Sequence, residues 1–333
     1  MNLSDDAWNN KGNGLYKLRK YEEAIGCYDK ALEINPRSSD AWFNKGVALD
    51  TLGKTHEAIG CYVKALDIDP GYADAWTNGG LALDTLGKTH EAIGCYDKAL
   101  EINPRSSDAW YNKGVTLKEL GKLQEAIGCY DKALEINPRD ADAWYNKGVT
   151  LKELGKYEEA IGCYEMALEI DPSDSYVWTY NGVALKELGK YEEAIGCYDT
   201  ALEINPRSSD AWNNKGNGLH KLGKYEEAIG CYEKALDMDP RLAGAWNNKG
   251  VALKELGKYQ EATGCYEKAL DMDPGLAGAW LNKGVALANL GKLQESIGCF
   301  EQVIERAPPQ NASLIEQAKK IINQLKMQNN CQN

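Results

Sequence analysis

The chain has 333 residues, with 50 acidic against 38 basic side chains and a formal charge of −12. That balance argues against a nucleic-acid partner, since no basic stripe is available to displace counterions from phosphates. The opening MNLSDDAWNN is polar and acidic, unlike a signal peptide. No run of about 18 apolar residues offers a membrane span, so a cytoplasmic, membrane-free protein is expected.

One block organises everything that follows. Residues 107–140 read SDAWYNKGVTLKELGKLQEAIGCYDKALEINPRD. The tryptophan recurs every 34 residues, at Trp8, Trp42, Trp76, Trp110, Trp144, Trp178, Trp212, Trp246 and Trp280, and the proline keeps step from Pro36 to Pro308. Such a period signals stacked repeats and overrides a reading of two globular domains from length. Nine repeats start at residues 5, 39, 73, 107, 141, 175, 209, 243 and 277, and the array runs to 310.

Each repeat predicts two helices. In the first, Trp110, Gly114 and Leu117 share a face. Gly121 ends it, because glycine adopts the left-handed conformation that the turn needs. In the second, Ala126, Tyr130, Ala133 and Leu134 make the matching stripe, closed by Asn137 and Pro138. A single hairpin leaves a face uncovered, so it must stack on a neighbour. The tryptophans are the expected buried anchors, each contributing roughly 4–6 kcal/mol by burial.

The block resembles the tetratricopeptide repeat, whose pattern runs Trp, Leu-Gly, Tyr, Ala, an aromatic and Pro. Trp110, Gly114, Ala126, Tyr130 and Pro138 match; Lys113 and Leu117 stand where the pattern has Leu and Tyr. The resemblance covers 306 of 333 residues. It implies an all-α fold, a right-handed α-solenoid superhelix of nine helix-turn-helix units with a C-terminal capping helix. The first helices would line its concave wall. Function is less specified, because the repeat serves many partners.

Along the chain, Ser4 is placed to cap the first helix. The first repeat carries Arg19 where the others have the turn glycine, a local fault of about 1 kcal/mol that predicts fraying. His56 and His90 fall on the exposed side of the second helices, far from His220, so the histidines make no common site. Repeat six diverges most, with SYVWTYNGVAL. Nine of the 10 cysteines, Cys27 to Cys299, occupy one column. Equivalent residues in stacked repeats lie about 8–10 Å apart, too far for a disulfide or a shared metal ion. Free thiols, Cys331 included, fit a reducing compartment. Gly128 and its counterparts sit mid-helix at a cost of about 1 kcal/mol; close backbone approach and simple duplication both account for them. After the array, Ser313 and Glu316 form a capping box. Leu314, Ala318 and Ile321 then repeat the first-helix stripe, giving a sealing helix over 311–327 and a disordered tail over 328–333.

The first helix turns Asp108, Tyr111, Asn112, Val115, Lys118 and Glu119 away from its buried stripe. The Asn112 column, with Asn10, Asn44, Asn78, Asn146, Asn214, Asn248 and Asn282, breaks only at Tyr180. An Asn amide offers donor and acceptor together, as a peptide backbone requires. The column resembles the asparagine ladder of the O-GlcNAc transferase repeat domain, which grips extended peptides; bonding within the stack is the alternative. The helix-start column Asp40, Asp74, Asp108, Asp142 opposes a family clamp for chaperone carboxylates. The Lys118 position is acidic at Asp50 and Asp84, then cationic at Lys118, Lys152 and Lys186, with Tyr111, Tyr145, Tyr176 and Tyr180 nearby. The expectation is an extended segment across repeats three to six presenting acidic or aromatic side chains to these lysines. A charge row neutralised by Glu119, Glu153 and Glu187 is the alternative.

No nucleophile–base pair, metal-ligand cluster or phosphate loop stands out. The expectation is a non-enzymatic scaffold for protein or peptide segments, without cofactor or metal. A structural protein with weak self-association is the alternative.

Overall fold

The computed structural model describes the backbone of residues 3–308 and 311–332, and side chains as far as Met327. Pro309 and Gln310, which close the ninth repeat, lie outside the described residues, as do Asn333 and the thiol of Cys331. Among the described residues the chain is all-α, with no strand. It divides into two compact bodies, Met1–Ile170 and Asp171–Asn333.

The N-terminal body holds the hairpins α1 (Asp5–Lys17) with α2 (Tyr21–Ile34), α3 (Ser39–Thr51) with α4 (Thr55–Ile68), α5 (Ala73–Thr85) with α6 (Thr89–Ile102), α7 (Ser107–Glu119) with α8 (Leu123–Ile136), and α9 (Ala141–Glu153) with α10 (Tyr157–Ile170). The C-terminal body holds α11 (Ser175–Glu187) with α12 (Tyr191–Ile204), α13 (Ser209–Lys221) with α14 (Tyr225–Met238), α15 (Ala243–Glu255) with α16 (Tyr259–Met272), α17 (Ala277–Asn289) with α18 (Leu293–Arg306), and then α19 (Ala312–Gln332). Each first helix starts where the 34-residue period places it.

The turn inside each hairpin is set by one residue with positive φ. Gly53 and its counterparts sit at φ between +72° and +78°. Beyond the glycine, Lys54 N–H donates to Leu49 O at 2.9 Å, the six-to-one bond of a Schellman stop. Arg19 takes the same turn at φ +58°, with Lys20 N–H on Leu15 O at 3.0 Å. The first repeat therefore holds a β-carbon where the others have none. At the next junction, Ser38, Ser106, Asp140, Asp174 and Ser208 cap the following helix through side-chain oxygens. Ser4 caps α1, accepting from Ala7 N–H at 3.2 Å.

The core corrects the expected anchor. The fully buried large side chains are Tyr28, Tyr62, Tyr96, Tyr130, Tyr164, Tyr198, Tyr232, Tyr266 and Phe300. Each ring lies on the first-helix glycine of its own repeat. A β-carbon on Gly114 would sit 2.7 Å from the Tyr130 ring, and one on Gly12 2.4 Å from Tyr28. The tryptophans are only half-buried. They stand at the repeat edge because the indole N–H must reach a carbonyl: Trp42 and Trp110 each donate to the preceding turn's proline oxygen at 3.0 Å. Lysines cover the exposed faces, Lys45 and Lys64 lying 5.5 and 4.8 Å from the Trp42 ring centre.

The same edge explains Lys113 in place of the family's leucine. Its ammonium lies 2.5 Å from Asp97 of the preceding repeat and 5.6 Å above Trp110, so it ties neighbouring repeats together. Leu117 is buried against Ala126, Cys129 and Tyr130. The column thiols are free; seven are buried and two, Cys95 and Cys197, partly so. Burial pushes the Cys129 and Cys163 thiols up to about 11. Gly128 and most of its counterparts are exposed, and a β-carbon at any of them would meet nothing within 4 Å. Close backbone approach therefore does not explain it.

At the end, α19 packs Ala318, Ile322 and Leu325 against Ile297, Phe300 and Val303, with Leu314 and Ile321 at the margin. The predicted capping box does not form. Ser313 lies inside the helix, and Glu316 accepts from Lys319 Nζ at 2.8 Å instead. The helix also continues to Gln332, through the stretch expected to be a disordered tail.

Candidate binding groove

Along α1, α3, α5, α7 and α9 of the N-terminal body, the face opposite the core carries the predicted columns. Most of the asparagines are tied to the framework through the amide nitrogen, by one bond at Asn44, Asn78 and Asn282 and by two at Asn146 and Asn248. Asn44 donates to Asn9 Oδ1 at 3.1 Å, and Asn146 to the Tyr111 hydroxyl at 3.1 Å and to Asp142 O at 3.0 Å. In the C-terminal body Asn248 donates to Asn213 Oδ1 at 3.2 Å and Asn217 Oδ1 at 3.0 Å, and Asn282 to Asn247 Oδ1 at 3.2 Å. The acceptor is thus the residue after the preceding repeat's tryptophan. Where that residue is Phe43, which cannot accept, Asn78 bonds back to Asp74 O in its own helix at 2.9 Å. Asn112 follows Thr77, whose hydroxyl donates to Ala73 O at 3.1 Å, and Asn112 lines a cavity. An amide has two N–H donors and a carbonyl, so one committed N–H leaves bonding capacity at Asn44, Asn78 and Asn282.

The cationic row is also engaged. Lys118 Nζ donates to Asn146 Oδ1 at 3.1 Å, and Lys186 pairs with Glu187 at 3.1 Å. Lys152 has a partner within the protein. Tyr111 and Tyr145 are half-buried, their rings 6.2 Å from the core Tyr130 and Tyr164. Burial, with Asp142 close by, pushes the Tyr111 hydroxyl up to about 12. Tyr180 is half-buried and engaged within the protein. Tyr176, at the first turn of α11, is 68% exposed.

Cavities open on this face in both bodies. In the N-terminal body, one of about 440 Å³ is lined by Phe43, Asp74, Asn78, Leu81, Tyr111 and Asn112, among others. A second, of about 380 Å³, shares Phe43 and Asn78 with it and adds Tyr16, Asn44 and Val47. In the C-terminal body a cavity of about 490 Å³ gathers Lys186, Glu187, Asn217, His220, Asn248 and Val251. Sequence spacing separates His220 from the other histidines, yet the fold places it in this cavity. Its ring stands edge-on to Tyr225 at 5.2 Å, and its Nε2 is buried without a hydrogen-bond partner among the described residues. Burial lowers its pKa, with Glu255 opposing. His56 and His90 are exposed.

Among the described residues no group of His, Cys, Asp and Glu is arranged to hold a metal ion, and no helix is long and apolar enough to cross a membrane.

The tetratricopeptide repeat pattern matches residues 5–38, 107–140, 141–174, 209–242 and 243–276. Related repeat patterns match 85–121 and 182–223, and 27–60, 61–94, 163–196 and 265–298. The chain belongs to the tetratricopeptide repeat family. Tetratricopeptide repeats in general build scaffolds for protein interaction, and this chain is such a scaffold. No curated protein matches it. Among solved structures, a protein from Parabacteroides merdae described as a tetratricopeptide repeat protein is 19% identical, over 75% of this chain and 98% of that one, with a TM-score of 0.57. Yeast Tom70 is 16% identical, over 98% of this chain and 96% of that one, with a TM-score of 0.52. Both share the fold. YrrB, described as a TPR protein with an unusual peptide-binding site, is 27% identical over 55% of this chain and 95% of its own, with a TM-score of 0.47.

Proposed function

We propose that this protein binds extended peptide segments of partner proteins along the first-helix face of each body. The observation that carries the reading is the pair of neighbouring cavities in the N-terminal body, about 440 and 380 Å³, joined through Phe43 and Asn78. Successive repeats lie about 8–10 Å apart, so cavities one repeat apart suit side chains two or three positions apart on an extended strand. The spare amide groups of Asn44, Asn78 and Asn112 would meet the strand's backbone. Tyr111, Tyr145, Lys118 and Lys152 in this body, and Tyr176, Tyr180 and Lys186 in the other, are the proposed flanking contacts. Asn146, Lys118 and Lys186 would have to exchange their present partners to take part. That favours the cavity-lining residues as the first contacts.

Crosslinking with mass spectrometry in the native cell, combined with selection from a displayed random-peptide library, tests this. The expected result is enriched linear peptides that no longer bind after Asn78→Ala with Asn112→Ala. A library yielding no enrichment, together with light scattering that shows the chain pairing only with itself, overturns the reading.

A further inference from the structure

The two cavities of the N-terminal body have a chemistry that the amide ladder does not explain. Phe43 is fixed by Tyr62 and Tyr72, whose ring centres lie 6.0 and 4.9 Å from its own. Beside it Leu81, 41% exposed, lines the larger cavity with Tyr111. Equivalent positions in the other repeats carry Val or Asn, as at Val47, Val115 and Asn217. The smaller cavity continues the apolar strip through Val47 and Tyr16.

The rim of this strip is acidic. Asp74 and Asp108 line the larger cavity. Asp84 is one turn from Leu81; its Oδ2 accepts from the Thr116 hydroxyl at 2.7 Å, while Oδ1 is buried without a hydrogen-bond partner among the described residues. Several cations of this body are drawn to other faces. Lys45 and Lys113 are tied to Asp29 and Asp97 at the repeat edge, Lys98 and Lys132 to Glu101 and Glu135 on the second helices. Lys17 is the cation that lines the smaller cavity. Asp74 and Asp108 are exposed at this rim, so their charges are open to a cation on a partner.

We propose that this face takes an extended partner segment in which an apolar side chain alternates with arginine or lysine. This rests on the peptide-binding reading and names its occupant. The apolar side chain fills the space between Phe43 and Leu81. The methylene stem of the cation lies along Leu81 with its head toward Asp74 and Asp108, which line the same cavity. Arginine is preferred to lysine, because a planar guanidinium stacks on the Tyr111 ring while forking to a carboxylate. The acidic or aromatic segment expected from the lysine row does not suit this part of the face.

The test is fluorescence anisotropy of the full chain with labelled peptides of about nine residues, alternating Leu/Arg, Leu/Glu or Ser/Arg. At about 0.15 M salt the Leu/Arg peptide is expected to bind at least about tenfold more tightly than the others. Asp74→Asn with Asp108→Asn should reduce that binding about tenfold. Leu81→Asn should reduce it too. Glu57→Gln with Asp67→Asn, which removes the same charge from α4, should not. Equal binding of Leu/Glu or Ser/Arg, or equal loss in the α4 control, overturns the proposal. The peptide selection separates the two levels. Enriched peptides that lack basic residues, or ignore the change at Asp74 and Asp108, overturn this inference alone; no enrichment at all removes the peptide-binding reading beneath it.

Discussion

Two aromatic columns run through this protein with the same 34-residue period, and they do different work. The tyrosine column is sealed: Tyr130 has no exposed surface and rests on Gly114. The tryptophan column is half open, held by an indole N–H on a proline carbonyl and by lysines over its face. In sequence, tryptophan looks the larger hydrophobic anchor. In the fold, the interior goes to the ring that can lie flat on a glycine, while tryptophan serves as the seam between repeats. Periodicity identifies a structural position without telling how deep it lies.

Alkaline titration should separate the columns most widely. Burial pushes the tyrosine hydroxyls upward, Tyr28 to about 12 from 10.0, and the thiols of Cys129 and Cys163 to about 11 from 9.0. A raised acid pKa means that the folded state holds its proton longer than the unfolded one. The stability is fully present below the unfolded values and is lost as the unfolded chain ionises first. Melting temperature should be flat up to about pH 8, begin to fall as the unfolded thiols ionise near pH 9, and fall steeply through pH 10 to 12. A flat profile to pH 12 would contradict a sealed tyrosine column.

Single truncations sharpen the comparison. Tyr130→Ala should cost about 3–5 kcal/mol, the upper range for a buried aromatic, while Trp110→Ala should cost roughly half as much. Chemical denaturation of both variants measures the difference, and the reverse order would restore tryptophan as the anchor. Gly114→Ala should cost about 1–3 kcal/mol by driving a methyl into the Tyr130 ring. Gly128→Ala, on an open helix face, should instead gain about 0.5–1 kcal/mol. The most local effect concerns the turn. Arg19→Gly should stabilise by about 1 kcal/mol, seen as slower amide exchange confined to the first repeat.

The hairpins were legible because tryptophan, glycine and proline each punctuate the chain in a way that local geometry dictates. Arg19 was legible as a misfit for the same reason, and its φ of +58° bears that out. The buried tyrosine was harder, since its hydroxyl argues against sealing until Gly114 is seen beneath the ring. The asparagine column could be aligned but not interpreted, because the partner of each amide lies in a different, variable column. Lys113 looked like a departure from the family pattern; only its distance to Asp97 shows it to be a cross-repeat tie. The seam lysines and the Leu81 strip depend on which charges meet across repeats, and spacing within one repeat carries no record of that.

The asparagine that reaches back to the residue after the preceding tryptophan has a consequence for how such chains can be recombined. A copy of repeat seven placed after itself would find Asn213 waiting and extend the amide chain. Repeat three follows Phe43, and Asn78 has already fallen back on its own helix. The modules are therefore not interchangeable bricks: the residue each one offers its successor decides whether the next amide bonds across the seam or falls back on its own helix.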